Sequence, residues 1–164
     1  QVLYNVPGRT GGNINAATQL RIAEIDHVVA VKEASGNLSQ QYQVLRGRPE
    51  GFSVLSGDDN LVLPQLAVGL DGVISVVSNE VPEEFARLVH AAMDGDYEFA
   101  RELHYRLLDL LEGNFMESSP IPVKTAMGMM GLCGDRLRLP MVPITPENKT
   151  ALHRILLALD LVRE

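Results

Sequence analysis

Apolar residues come in short runs along the first half of the chain and in helical stripes along the second. Val2-Leu3-Tyr4, Val28-Val29-Ala30-Val31, Phe52-Ser53-Val54-Leu55-Ser56 and Gly72-Val73-Ile74-Ser75-Val76-Val77 are each bounded by polar, Gly or Pro residues. Short runs rich in β-branched residues predict strands buried on both faces, as in a parallel sheet. Pro7 and Gly8 stop the first strand, and Gly11-Gly12-Asn13 reads as a loop. Between the strands the spacing turns helical. One helix runs from about Asn15, with Ala16, Leu20 and Ala23 on one face. A second begins near Ser39, an N-cap residue type, and stops near Gly47. A third runs from about Asn60 and carries Leu63, Leu66 and Ala67. Pro82, followed by Glu83 and Glu84, suits the first turn of a fourth. After residue 95 no strand pattern returns, and helices are predicted over 96–112, 121–131 and 146–161. Leu103, Leu107, Leu110 and Leu111 form an apolar stripe that reads as core packing.

Four strands therefore alternate with helices at intervals of about 20–25 residues, the rhythm of a parallel α/β sheet. A complete (β/α)₈ barrel takes about 250 residues. The 164 residues of this chain hold four βα units and a helical tail. Two architectures share that pattern: the second half of a barrel with a C-terminal helical extension, or a small doubly wound domain with a helical extension. Either way the expected division is 1–95 for the βα part and 96–164 for the helical part. The chain opens in strand-like sequence without an initiator Met and closes on a finished amphipathic helix, so the beginning of a longer protein is expected to be missing.

Composition narrows the function. With 46% hydrophobic and 21% charged residues the chain is a folding, globular one. A formal net charge of −7 argues against non-specific binding to nucleic acid or to an anionic membrane surface. A small anionic substrate stays compatible, because a local Arg or Lys dominates inside a pocket. Cys133 is the only cysteine, which rules out an internal disulfide and fits a reducing, cytoplasmic compartment. No apolar stretch is long enough to span a bilayer.

Four polar or Gly-rich segments fall at strand C-termini: Tyr4 to Thr10, Lys32 to Asn37, Gly57-Asp58-Asp59, and Ile74 with Ser75 to Asn79. In a parallel sheet such segments converge on one rim, where α/β barrels keep their chemistry. Lys32 is the sharpest candidate. Partial desolvation at a strand end would favour its neutral, nucleophilic amine and hence a Schiff base; otherwise it is a lysine leaving the strand into solvent. Tyr4 is a candidate proton shuttle, or a packed ring whose hydroxyl caps a loop. Arg9 is a candidate carboxylate fork, or an exposed loop arginine. Gly57 allows a close backbone approach to a ligand, or simply makes a turn. Asp58 and Asp59 at a helix start complement the dipole more readily than they hold Mg²⁺. No metal site is expected, because His27, His90, His104, His153 and Cys133 show no ligand spacing. No P-loop, dinucleotide fingerprint or Gly-x-Ser-x-Gly elbow occurs.

Taken together, Tyr4-Asn5-Val6-Pro7-Gly8-Arg9-Thr10, Val31-Lys32-Glu33-Ala34-Ser35-Gly36-Asn37, Gly57-Asp58-Asp59, Gly72-Val73-Ile74-Ser75-Val76 and Pro120-Ile121-Pro122-Val123-Lys124 resemble the blocks of the dihydrodipicolinate synthase family, in order. Leu139-Pro140-Met141 and the closing helix continue the likeness over essentially the whole chain. The resemblance implies the second half of a (β/α)₈ barrel plus C-terminal helices. It implies a class I aldolase-type lyase of lysine biosynthesis, condensing pyruvate with L-aspartate 4-semialdehyde to 4-hydroxy-tetrahydrodipicolinate. On that pattern Lys32 carries the pyruvate Schiff base, Tyr4 shuttles protons, Arg9 holds a carboxylate, and Gly57 and Ile74 line the pyruvate pocket. No separate cofactor is implied, and the family is commonly tetrameric. A threonine pair and a partner-subunit tyrosine that complete the family's proton relay come from the half not present. Ser119 precedes Pro120 where the family more usually has Asn. The rival readings are N-acetylneuraminate lyase or another pyruvate aldolase of the same superfamily, and a non-catalytic half-barrel interaction module. A half barrel alone is expected to expose two sheet edges and an apolar face, and to lack a complete site.

Overall fold

A computed structural model describes residues 1–163. Four short strands, β1 (Val2–Asn5), β2 (Ala30–Glu33), β3 (Ser53–Ser56) and β4 (Gly72–Val73), make one parallel sheet in the order β1-β2-β3-β4. A doubly wound sheet reverses its strand order at a switch point. Here every strand pairs with the next in sequence, so the fold is half of a (β/α)₈ barrel followed by helices. β1 and β4 are the two sheet edges.

Eight helices accompany the sheet among the described residues: α1 (Pro7–Thr10), α2 (Ala16–Ala23), α3 (Leu38–Gly47), α4 (Val62–Ala67), α5 (Pro82–Met93), α6 (Tyr97–Gly113), α7 (Ile121–Met129) and α8 (Pro146–Ala158). The N-caps have clear chemical causes. The side chains of Asn15, Asn37 and Thr145 accept from the backbone N–H groups of Thr18, Gln40 and Asn148. The cap of α3 is thus Asn37, two residues before the expected Ser39. α1 is a single helical turn where Pro7-Gly8 predicts only a stop. Pro at the first position suits a helix start, and Gly11, at φ +73°, ends the turn.

The fourth strand is the largest correction. Residues 72–77 read as a strand, yet only Gly72 and Val73 pair. β3 ends at Ser56, and the last rung is the Ile74 N–H donating to the Ser56 carbonyl at 2.9 Å. With no partner strand beyond that rung, the chain turns, and Val77 is buried in a 3₁₀ turn over Val77–Asn79 instead. A second 3₁₀ turn, Asp59–Leu61, precedes α4, which therefore starts two residues later than expected.

Contacts group the chain into two compact units: Gln1–Ser75 with Val89–Ala100, and Val76–Leu88 with the chain from Arg101 onward. In the first, period-2 alternation sorts the strand residues. Val31 and Val54, both fully buried, face a cluster with Ala16, Ala23, Val44, Phe52 and Leu70. Burying each of these valines contributes about 1.5–3 kcal/mol. Val2, Tyr4, Lys32, Ser53 and Leu55 alternate onto the opposite face and keep some exposure. In the second unit α7 and α8 pack together, and Leu107, Leu110, Leu111, Ala126, Leu152 and Leu156 are fully buried. The leucine stripe expected on α6 is core. No helix among the described residues is long and apolar enough to cross a membrane.

Candidate active site

Tyr4 and Lys32 are direct partners in the β1–β2 register, so their side chains leave the same face of the sheet side by side. The Lys32 ammonium lies 4.5 Å from the centroid of the Tyr4 ring, within cation–π range. Lys32 is half-buried, and Tyr4 keeps 43% of its surface. Both stay reachable from solvent.

Gly57 closes the lysine from the β3 side. A Cβ built there would stand 2.9 Å from Lys32 Cε and 2.7 Å from Ala34 Cβ. Only a residue without a side chain lets the backbone pass that close to the lysine stem. The Gly57 N–H donates to the Glu33 carbonyl at 2.9 Å, which extends the β2–β3 ladder past the lysine. Beyond it, the Ser56 hydroxyl meets the Gln65 side-chain oxygen and lies 3.1 Å from both the Asp58 N–H and the Asp58 carbonyl oxygen. This fixes the Gly57-Asp58 turn.

Asp58 is the electrostatic oddity of the rim. Its carboxyl is pushed up from 3.8 to about 6, first by burial, then by the negative charges of Glu33 and Asp59, against a smaller opposing pull from Lys32. A group that changes charge near pH 6 within the field of Lys32 can accept or hold a proton during chemistry there. The sequence reading takes Asp58 only as a dipole complement.

Ile74 is tied through its backbone to Ser56, the neighbour of Gly57, and the residue is 41% exposed. Arg9 sits exposed on α1, which starts two residues after β1. The structure thus sets Lys32 against Tyr4 and against Gly57, with Ile74 and Arg9 on the segments that follow β4 and β1.

Sequence reasoning missed what lies on the other face of the same strands. Glu33, the next residue after Lys32, is fully buried, as are Asn5 at 1% and Gln19 at 0% exposure. Asn5 Nδ2 donates to both Glu33 oxygens at 3.1 and 3.0 Å, and Gln19 Nε2 donates to Oε2 at 2.7 Å. Gln40 Nε2 at 3.3 Å and the Ser35 N–H at 2.8 Å complete the set. One signal was available: Gln19 falls on the Ala16/Ala23 face of its helix, where an apolar residue is expected.

A cleft of about 860 Å³ opens within the second unit, lined by Pro120, Lys124 and residues 136–139 and 141. It is open to solvent and holds none of the strand-end residues. Among the described residues no three His, Cys, Asp or Glu side chains gather as a metal set.

Comparison with known proteins decides the family. The family model described as "Dihydrodipicolinate synthetase family" matches residues 1–159. The chain belongs to that family. The 4-hydroxy-tetrahydrodipicolinate synthase of Koribacter versatilis is 53% identical over 154 residues, covering 94% of this chain and 51% of that protein. The dihydrodipicolinate synthase of Aquifex aeolicus superposes with a TM-score of 0.94 at 43% identity, over 98% of this chain and 55% of that one. The chloride-inhibited enzyme of Acinetobacter baumannii, solved in complex with pyruvate, superposes at 0.93 with 34% identity, over 98% and 55%. The chain spans about half the length of the dihydrodipicolinate synthases it matches. Its parallel sheet and helices are those of the family's barrel over that span.

Proposed function

We propose that this chain supplies the Schiff-base half of a pyruvate-dependent lyase that makes 4-hydroxy-tetrahydrodipicolinate from pyruvate and L-aspartate 4-semialdehyde. One observation carries the reading: a half-buried lysine stands at the end of a parallel strand, against a tyrosine ring on one side and a glycine backbone on the other. An amine so flanked has its rotamers restricted and its approach to a carbonyl directed.

In the proposed sequence the Lys32 amine attacks the pyruvate ketone, and loss of water leaves the imine. The imine withdraws electrons, so the pyruvate methyl gives up a proton and becomes an enamine. Its carbon bonds to the aldehyde of the semialdehyde, whose oxygen takes a proton. The semialdehyde's own amine then attacks the imine carbon, closing the ring and releasing Lys32. Tyr4, beside the ammonium, is the shuttle for these protons. Arg9 takes a substrate carboxylate, as its planar fork suits. Gly57 and Ile74 form the wall behind the bound pyruvate. The reading needs no metal or further cofactor. Cytoplasmic location, homo-oligomeric assembly and a role in lysine biosynthesis belong to the same proposal, as does completion of the proton relay by the remaining length of the family's barrel.

Borohydride reduction with pyruvate, followed by peptide mass analysis, tests it on the full chain. A reduced pyruvyl adduct on Lys32, lost in Lys32→Ala, is the expected result. No adduct in a folded protein that includes the remaining length of the family's barrel removes the enzyme reading and leaves a non-catalytic half-barrel module, whereas no adduct in this half alone reflects its incomplete site. An adduct surviving Lys32→Ala points to Lys124. Turnover with aspartate semialdehyde is expected to exceed turnover with N-acetylmannosamine. The reverse order would make the protein a sugar-acid lyase.

A further inference from the structure

We infer that Glu33 is a positioning residue: a buried carboxylate that ties the ends of β1 and β2 to α2 and α3 and thereby fixes where Lys32 and Tyr4 stand. The task of the positioned groups rests on the Schiff-base reading above; the placement does not.

Lys32 and Glu33 are consecutive in β2, so they leave opposite faces of the sheet, one toward the rim and one toward the helices. The donors that meet Glu33 come from four separate places. Asn5 ends β1, Gln19 lies in α2, Gln40 in α3, and the Ser35 N–H follows β2. The ring of contacts closes on itself. Asn5 Nδ2 also donates to Asn13 Oδ1 at 2.9 Å, and Asn5 Oδ1 accepts from the Ile14 N–H at 3.0 Å. Asn13 Nδ2 donates to Gln40 Oε1 at 2.8 Å, and Gln19 Nε2 to the Ile14 carbonyl at 2.7 Å. Asn5 and Glu33 are also paired in the strand register, one residue on from the Tyr4–Lys32 pair. Any slip or splay of β1 against β2 that moves Tyr4 off Lys32 must break the Asn5–Glu33 bonds.

The site is chemically specific for a carboxylate. Each of the four groups facing Glu33 is a donor, and a carboxylate offers only acceptors. A glutamine there is nearly the same shape but turns an NH₂ group toward donors, leaving at least one bond unmade. A merely space-filling residue at this depth would be apolar. The same charge reaches the rim: after burial, Glu33 is the largest influence raising Asp58, alongside Asp59 and against Lys32. Glu33 therefore acts on both the geometry and the field around the lysine while touching no substrate.

The test uses the full chain with Glu33→Gln, and Gln40→Met as a milder change that leaves three of the four donors. Three readouts are taken: acetic anhydride labelling of Lys32 relative to Lys124 and Lys149, the ¹³C titration of the Asp58 carboxyl, and pyruvate–borohydride trapping. In Glu33→Gln the Lys32 labelling ratio moves, the Asp58 midpoint falls below about 6, and trapping slows by about tenfold. Gln40→Met shifts the labelling ratio in the same direction by less. A folded Glu33→Gln protein with the parent's labelling ratio and Asp58 midpoint overturns the inference. If Glu33→Gln does not fold, an unchanged ratio in Gln40→Met does so. A parent protein that includes the remaining length of the family's barrel and traps no pyruvate, with Lys32 labelling still sensitive to Glu33→Gln, sinks the Schiff-base reading and supports the positioning role.

Discussion

Replacing Gly57 by Ala puts one methyl group into the tightest place beside Lys32. The new Cβ would stand 2.7 Å from Ala34 Cβ, about 0.7 Å inside the 3.4 Å at which ordinary contact begins, and 2.9 Å from Lys32 Cε. Lys32 can swing away because its stem is flexible. Ala34 cannot, because its Cβ is fixed to the backbone and its N–H is held by the Asn5 carbonyl at 2.8 Å. Gly57 is itself bonded to Glu33 on the same ladder, so relief must come from separating β2 and β3 locally. Overpacking of this kind costs about 1–3 kcal/mol. A displacement approaching 1 Å at the reacting amine slows a positioned reaction by up to about a hundredfold. Urea denaturation reads the first quantity, and the rate of pyruvate–borohydride trapping at Lys32 reads the second. Gly134→Ala serves as the control, since nothing lies within 4 Å of its Cβ and its backbone conformation is ordinary. Stability and trapping rate in Gly57→Ala both equal to those in Gly134→Ala would refute the packing argument outright.

Two pH-dependent predictions follow from the charges. Asp58 has its folded-state carboxyl raised to about 6, so the folded chain favours the protonated form. Its contribution to stability is full below pH 3.8 and is lost as pH rises through about 6. The whole shift corresponds to about 3 kcal/mol, which screening by water at this partly exposed group reduces to about 1 kcal/mol. Asp58→Asn is therefore expected to gain stability relative to the parent between pH 4 and pH 7, and parallel denaturation curves over that range would contradict it. Glu117 runs the other way. Its carboxyl is held below its usual 4.5 by the Asn148 side chain and then by Thr145, whose N–H donates at 2.9 Å, so its stabilisation is present above pH 4.5 and lost on acidification. Glu117→Gln is expected to lower Tm at neutral pH and to bring the two proteins together in acid; an undiminished gap at low pH would sink this.

Much of the fold was legible in the sequence. Short β-branched runs separated by helical spacing sufficed for a parallel α/β chain, because both periodicities are local properties of the backbone. The helix start at Pro82 could be read from its proline, and the starts near residues 15 and 146 from helical spacing, for the same reason. Lys32, Tyr4, Arg9 and Gly57 were visible as polar or glycine residues at strand ends, and Ile74 came in as a pocket residue only through the family resemblance. The family resemblance is carried by short stretches of sequence, and the comparisons bear out that the chain belongs to the family.

Tertiary structure alone decided the rest. Alternation by itself does not choose between a half barrel and a doubly wound sheet; the family resemblance implied the half barrel, and the strand order, which strand lies beside which, shows it. The length of β4 was decided by its neighbour: a strand exists only where a partner offers its ladder, and β3 stops at Ser56. The contact between Lys32 and Tyr4 comes from a register that pairs residues 28 apart in sequence, and no local pattern specifies it. Glu33 shows the difference most clearly. In sequence it is an ordinary acidic residue after a lysine, and charged residues are usually exposed. Its burial follows from strand alternation combined with donors contributed by β1, α2 and α3. A carboxylate becomes a tolerable core residue only once folding has assembled partners that the chain keeps far apart.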